Sequence, residues 1–177
     1  NEEGAHVMFS SWRRIDDNMI PARGKICGAY VNSALAKSDA NLAGFDEAIM
    51  LNHDGHIAEG SAENVFILRK GKIVTPPVTD NILEGITRNT MMTLLRDELG
   101  MEIVERPIDK SEVYLADEAF MVATGAQIVA ITQIDYRNIG SGIMGTVTQK
   151  LRDLYFNLVR GKVSKYRQWC YPVYGKN

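Results

Sequence analysis

Four short segments of the sequence hold residue types that can do chemistry. The first is Arg23-Gly24-Lys25-Ile26-Cys27-Gly28-Ala29-Tyr30, a lysine between two glycines followed by apolar residues and a tyrosine. A primary amine becomes nucleophilic when its surroundings disfavour the ammonium form, through desolvation or a nearby positive charge. Flanking glycines let the backbone approach a ligand closely. Taken alone, Lys25 also fits a solvated lysine at a helix start. The second segment is Glu59-Gly60-Ser61-Ala62-Glu63-Asn64. A carboxylate held there can accept a proton or pair with a protonated ring nitrogen, and the same residues also make an ordinary polar loop. The third is Leu83-Glu84-Gly85-Ile86-Thr87-Arg88, at the start of an apolar-periodic stretch. Free N–H groups and the dipole at a helix N-terminus favour an anion; the bland alternative is a glycine at a helix entry with Thr87 as a cap. The fourth is Ala123-Thr124-Gly125-Ala126, small residues after an apolar run. Such a strand end can offer N–H groups and a hydroxyl to a small anion, or simply turn the chain.

These segments need elements to hold them. Val7-Met8-Phe9 opens a strand that ends near Trp12, followed by a polar connector through Asp16-Asp17-Asn18 to Pro21. Residues 29–43 read as a helix, with Tyr30, Ala34, Leu35 and Leu42 at helical spacing and Gly44 as its stop. The middle reads as a β meander. Its strands are residues 47–51, 56–59, 65–68 and 73–75, with turns at Asn52-His53-Asp54-Gly55 and Arg69-Lys70-Gly71-Lys72, and Pro76-Pro77 ends the pairing. A helix from Gly85 to before Gly100 puts Ile86, Met91, Leu94, Leu95 and Leu99 on one stripe and leaves Arg88, Arg96, Asp97 and Glu98 for solvent. Residues 102–106 give a short strand and 110–116 a short helix. Residues 119–124 form an apolar run suited to a strand buried on both faces, and 127–134 are β-rich. A last amphipathic helix over 146–159 turns Val147, Leu151, Leu154, Tyr155 and Leu158 inward. The pattern predicts one mixed α/β unit.

Composition narrows the function further. The chain has 177 residues, a net charge of −2 and 45% hydrophobic residues, so it can bury a core and lacks the broad basic surface of a nucleic-acid binder. No run of about 18 apolar residues would span a membrane. The opening residues, Asn1 to His6, do not read as a signal peptide, and the missing initiator Met predicts a piece of something longer. Cys27 and Cys170 match no metal spacing and fit free thiols in a cytoplasmic protein. His6, His53 and His56 make no metal set, Asp54, Asp117 and Glu118 read as turn and helix-end acids, and neither a P-loop nor a Rossmann fingerprint is present.

The order of the segments, however, is informative. Lys25 with Gly28 and Tyr30, Glu59-Gly60 with Glu63-Asn64-Val65-Phe66, Pro76-Pro77, Gly85-Ile86-Thr87-Arg88, Tyr114-Leu115-Ala116-Asp117-Glu118-Ala119-Phe120 and Thr124-Gly125-Ala126 together resemble the branched-chain amino-acid aminotransferases. These are fold-type IV enzymes that depend on pyridoxal 5'-phosphate. D-amino-acid aminotransferases and aminodeoxychorismate lyases share the lysine, the Glu-Gly turn and the phosphate loop. The Tyr-Leu-Ala-Asp-Glu segment and Gly145-Thr146-Val147-Thr148 tilt the resemblance to the branched-chain group.

The resemblance implies a mixed α/β (α+β) fold, a pseudo-barrel of mixed strands flanked by helices. It implies transamination between branched-chain L-amino acids and 2-oxo acids, 2-oxoglutarate above all. In it Lys25 holds the cofactor as a Schiff base and shuttles the proton, Glu59 pairs with the pyridine nitrogen, and Tyr30 hydrogen-bonds the phenolic oxygen. Ile86, Thr87 and Thr124 bind the phosphate, and Leu83 packs on the ring. Thr124, Gly125 and Ala126 receive the substrate carboxylate, with Glu63 and Asn64 in support. It further implies a homo-oligomer, dimer or higher, with no metal, nucleic acid or membrane partner. Family members carry a small N-terminal domain that supplies an arginine to the phosphate and much of the side-chain pocket. Residues 1–177 would therefore be the single C-terminal, cofactor-binding domain, with an open site and little activity alone. Ala29 departs from an asparagine common in relatives. Two other readings stay open: a D-amino-acid aminotransferase or aminodeoxychorismate lyase on the same scaffold, and a catalytically inactive domain kept for binding, against which the intact Lys25 and Glu59 argue.

Overall fold

A computed structural model describes residues 4–174; Asn1, Glu2 and Glu3, which enter the reading of the N-terminus, lie outside the described residues. The elements in chain order are β1 (Ala5–Arg13), α1 (Tyr30–Leu42), β2 (Glu47–Leu51), β3 (Ile57–Gly60), β4 (Asn64–Arg69), β5 (Lys72–Thr75), α2 (Ile86–Asp97), β6 (Ile103–Glu105), α3 (Lys110–Val113), β7 (Glu118–Ala123), β8 (Gln127–Ile134), β9 (Arg137–Asn138) and α4 (Thr146–Val159). The strands form one mixed sheet in the order β3-β2-β1-β8-β7-β4-β5-β6, with β9 against β8. β1 runs parallel to both its neighbours, and β7 runs antiparallel to both of its own.

Strand periodicity divides the core in two. On β4, Val65 and Ile67 face one cluster with Val7, Phe9, Ile49, Ile57, Met121 and Ile134. Their neighbours Phe66 and Leu68 face the other, with Phe120, Val122 and the helix residues Met91, Leu94, Leu95, Leu151 and Leu158. Successive side chains on a strand point to opposite faces, so residues 65–68 of β4 and 119–123 of β7 are apolar without a break because one face lines the sheet's interior and the other carries α2 and α4. Phe66 and Phe120 stack at 5.1 Å between centroids across the β4–β7 ladder.

Three expectations are corrected. The meander breaks between β3 and β4, which share no ladder; β4 pairs with β5 and β7 instead. The two strands still meet, since Asn64 on β4 donates to Glu59 on β3 at 3.2 Å, and this contact between strands far apart in sheet order shows the sheet curling into a partial barrel. On α1 the buried residues are Ser33, Ala36 and Ala40, while Leu35 and Leu42 face outward. The alanines let the helix lie close on Ala48 and Met50 of β2. On α2, Ile86 is 85% exposed and Arg88 is buried. Arg88 is held under the helix because its guanidinium donates to Pro76 O at 3.0 Å and Glu105 at 2.7 Å.

Glu118 does act on a helix end, though a distant one. Its carboxylate accepts from the N–H groups of Val147 at 3.0 Å and Thr148 at 2.8 Å, and from the Thr148 hydroxyl at 2.7 Å. A carboxylate at a helix N-terminus satisfies orphan donors and complements the dipole. Gly145 is required there, because a Cβ would lie 2.0 Å from Glu118.

Candidate active site

Lys25 sits on the loop between β1 and α1, at backbone φ +46°. That left-handed conformation is unusual for a residue with a Cβ, and neighbouring contacts hold it. Asp17 accepts from Ala22 N at 2.8 Å, Asn81 accepts from Asp17 N at 3.2 Å, and Arg23 pairs with Glu84. The loop is thereby tied to the segment that leads into α2. Lys25 is exposed, so the desolvation expected from its apolar neighbours is not present among the described residues; Ile26 and Cys27 are themselves exposed.

Lys25 lines a cleft of ≈ 220 Å³ together with Ala62, Asn64, Leu83, the 84–87 segment, Val122, Ala123 and Thr124. The mouth of the cleft includes the first turn of α2. That helix has Gly85 at its N-cap and no side-chain cap, so the N–H groups of its first turn lack intrahelical partners. A Cβ on residue 85 would come within 2.3 Å of Asn64 Oδ1, which explains the glycine by close approach. Leu83, Val122 and Ala123 give the cleft apolar walls, and Thr87 and Thr124 add hydroxyls.

Behind the Asn64–Leu83 wall lies Glu59, 6% exposed. Its Oε2 accepts from Leu83 N at 3.0 Å and Asn64 Nδ2 at 3.2 Å, and its Oε1 accepts from Arg14 Nε at 2.8 Å. Asn64 also donates to Leu83 O at 2.9 Å, locking the wall to the carboxylate. Burial pushes the Glu59 carboxyl up to about 7, against the pull of Arg14. Glu63 is likewise raised by burial and by Glu47. Tyr30, the first residue of α1, is half-buried, and burial and then Glu59 hold its phenol above the usual range.

The structure thus gathers Lys25, Leu83, Ile86, Thr87 and Thr124 in one cleft and sets Glu59 directly behind it. Tyr30 is linked to Glu59 electrostatically but does not line the cleft, and neither do Gly125 and Ala126. The sequence reading missed Arg14, Ala62 and Val122 as members of this region. Arg14 follows Trp12 and Arg13, which are exposed. Only its place at the end of a central strand, where β2 is the parallel neighbour, turns it inward. The arrangement can hold an elongated, apolar-bodied anion, with its negative end at α2 and a carbonyl carbon within reach of an amine.

Comparison with known proteins fits this geometry. The family profile described as amino-transferase class IV matches residues 1–134. The chain is 53% identical over 98% of its length to a probable branched-chain-amino-acid aminotransferase of Aquifex aeolicus, covering 56% of that protein. It is 46% identical over 95% of its length to the branched-chain-amino-acid aminotransferase of Pseudomonas aeruginosa, covering 54% of it. Among solved structures, the branched-chain amino acid aminotransferase from Thermobaculum terrenum in its PLP form superposes with a TM-score of 0.96 at 44% identity, over 99% of this chain and 57% of that one. The branched-chain aminotransferase from Thermoproteus uzoniensis with norvaline gives 0.94 at 45% identity, over 98% of this chain and 57% of that one. The chain spans about half the length of the curated relatives it matches. A curled mixed sheet, an amine facing an uncapped helix start, and a matching profile over three-quarters of the sequence lead to one conclusion: the chain belongs to the class IV aminotransferases.

Proposed function

We propose that the protein transaminates branched-chain L-amino acids with 2-oxoglutarate, using pyridoxal 5'-phosphate bound covalently at Lys25, and that residues 1–177 form the C-terminal, cofactor-binding domain of that enzyme. The observation that carries the reading is the cleft itself: a primary amine, the uncapped N-terminus of α2 and a buried carboxylate arranged about one apolar-walled space. The names of the relatives support the substrate class.

The residues fit the cofactor. Ile86 and Thr87 offer backbone N–H groups and a hydroxyl to a phosphate, and the helix dipole favours its charge. Thr124 adds a second hydroxyl from the end of β7. Leu83 and Val122 provide flat apolar contact for an aromatic ring. Glu59 has four lone-pair positions and three are taken, which leaves one on Oε1 for a further donor. When bound, pyridoxal phosphate supplies an electron sink that stabilises negative charge at the substrate's Cα. The chain's part is to hold that ring: α2 anchors the anionic end, Glu59 accepts from a cationic ring N–H, and Lys25 Nζ carries and returns the proton at Cα. Tyr30 would donate its hydroxyl to the ring's phenolic oxygen, a role supported by its electrostatic link to Glu59. Gly125 and Ala126 lie in the turn after β7, where their N–H groups are candidates to receive the substrate carboxylate. A homo-oligomer is part of the proposal, supported by the family alone.

The test is borohydride reduction of the native protein followed by intact mass and peptide mapping. A pyridoxyl-phosphate adduct on Lys25 is the expected result, together with amino transfer from L-leucine in preference to D-alanine. An adduct on another lysine, or activity with D-alanine alone, refutes the reading.

A further inference from the structure

A guanidinium is buried behind the cleft, and the roles above do not account for it. Arg14 directly follows β1, where its N–H donates to Leu51 O at 2.8 Å. Its side chain is 5% exposed. Nε donates to Glu59 Oε1, and Nη1 is buried without a hydrogen-bond partner. A buried donor left without a partner is destabilising, more so on a charged group. The ladder position needs only backbone, so the side chain is retained at a cost. On the other side of the pair, Leu83 N and Asn64 Nδ2 fill both lone pairs of Oε2. Only Oε1, the oxygen that Arg14 touches, keeps an acceptor position. A carboxyl this deeply buried without a cation takes up a proton and turns from acceptor to donor.

We propose that Arg14 is a positioning residue for Glu59: its guanidinium fixes the carboxylate and favours its charged form, so that the one unused lone pair on Oε1 is held toward a cationic N–H donor of the protonated-pyridine type. The inference rests on the cofactor reading given above. Among the described residues, no other group around Glu59 can do this. Glu63, in the turn between β3 and β4, is a like charge that raises Glu59 further. Tyr30, at the start of α1, is a neutral phenol, itself raised by burial and by Glu59 and lowered by Arg14. Lys25 is exposed and lines the far side of the wall. Arg14 is the strongest influence opposing the burial of Glu59.

The experiment follows Glu59 directly, by difference infrared spectroscopy of the full chain in cofactor-free form across pH. The neutral-acid carbonyl band that disappears in Glu59→Gln belongs to Glu59. In Arg14→Met its midpoint should rise by about 1–3 pH units, the usual effect of losing an adjacent opposite charge. Arg14→Lys, which restores the charge, should bring it most of the way back. Arg14→Gln, which keeps a donor without the charge, serves where the Met variant does not fold, and should behave like it. After loading with pyridoxal 5'-phosphate, the pH profile of the visible absorption should move in the same direction. A midpoint unchanged in Arg14→Met and Arg14→Gln, with only stability lost, overturns the proposal and leaves Arg14 a structural residue. A protein that shows the Glu59 shift but takes no cofactor at Lys25 overturns the cofactor reading instead. The two failures are therefore separable.

Discussion

Replacing Glu59 by Gln should remove a specific slope from the pH dependence of stability. The carboxyl is buried and titrates near 7 in the folded chain, against 4.5 for an unperturbed glutamate. The folded state therefore binds this proton more tightly than the unfolded state does. Its contribution is fully present below about pH 4.5, falls as the pH rises, and is gone above about 7. At about 1.4 kcal/mol per pKa unit, the loss across that window is on the order of 3 kcal/mol. Gln is nearly isosteric, keeps one oxygen for either Arg14 or the Leu83–Asn64 donors, and cannot ionise. It leaves Arg14 without its counter-charge, which lowers stability by a roughly constant amount at every pH in the window. The informative quantity is thus the shape of the difference curve. Denaturant midpoints at half-unit steps from pH 4.5 to 8, converted with a common m value, should show the wild type losing about 3 kcal/mol relative to Glu59→Gln. Glu63 and Asp80 are also raised by burial and slope the same way, while Asp16, Glu98 and Glu112 are lowered and slope oppositely. All of them are common to both proteins and cancel in the difference. Parallel curves would refute the argument, because they would mean that Glu59 keeps one protonation state across the window.

Other perturbations read other parts of the structure. Lys25→Gly and Lys25→Ala both remove the amine, but φ is +46° at this position, so thermal melts should rank the Gly variant above the Ala variant by about 1 kcal/mol. Gly85→Ala drives a methyl group into Asn64 Oδ1; calorimetry should show a loss of about 1–3 kcal/mol, with weaker phosphate binding by titration. Glu118→Ala strips the N-terminus of α4 of its three accepted hydrogen bonds, and urea unfolding should report a loss of about 2–4 kcal/mol. Arg88→Met removes the buried link from α2 to Pro76 and Glu105; hydrogen exchange in the second turn of α2, where the helical bonds begin, should speed up markedly, whereas exchange in β1 should not change.

Much of the fold was legible because its signals are local. The Asn52–Gly55 turn, the apolar runs of β4 and β7 and the stripe of α4 each follow from period and turn chemistry, and each lies where expected. Strand order was not legible. Nothing local says that β4 leaves β3 for β7, since that choice is made by the shared aromatic layer of Phe66 and Phe120 and by the curl of the whole sheet. The same limit applies to the site. Lys25, Glu59 and the start of α2 sit beside glycines and turns that mark them. Arg14 carries no such mark, because its burial depends on strands that come together only in three dimensions. Leu35, Leu42 and Ile86 show the opposite failure: helical spacing identified apolar positions correctly without saying which face the sheet would take.

The bond between Glu118 and the start of α4 bears on where this chain can be cut. The family match stops at residue 134, before α4 begins. Yet Leu151 is fully buried against α2 and the sheet, and a carboxylate from near the end of the matched region closes the helix start. The boundary of the family profile is therefore not a folding boundary, and similarity to whole relatives runs on through α4. A fragment ending at residue 134 would expose the outer faces of Phe66, Phe120 and Leu94 to water and would leave Glu118 with nothing to accept from. A chain nicked in the exposed 135–145 connection should accordingly keep its two pieces associated, with β7 and α4 lost in a single unfolding step.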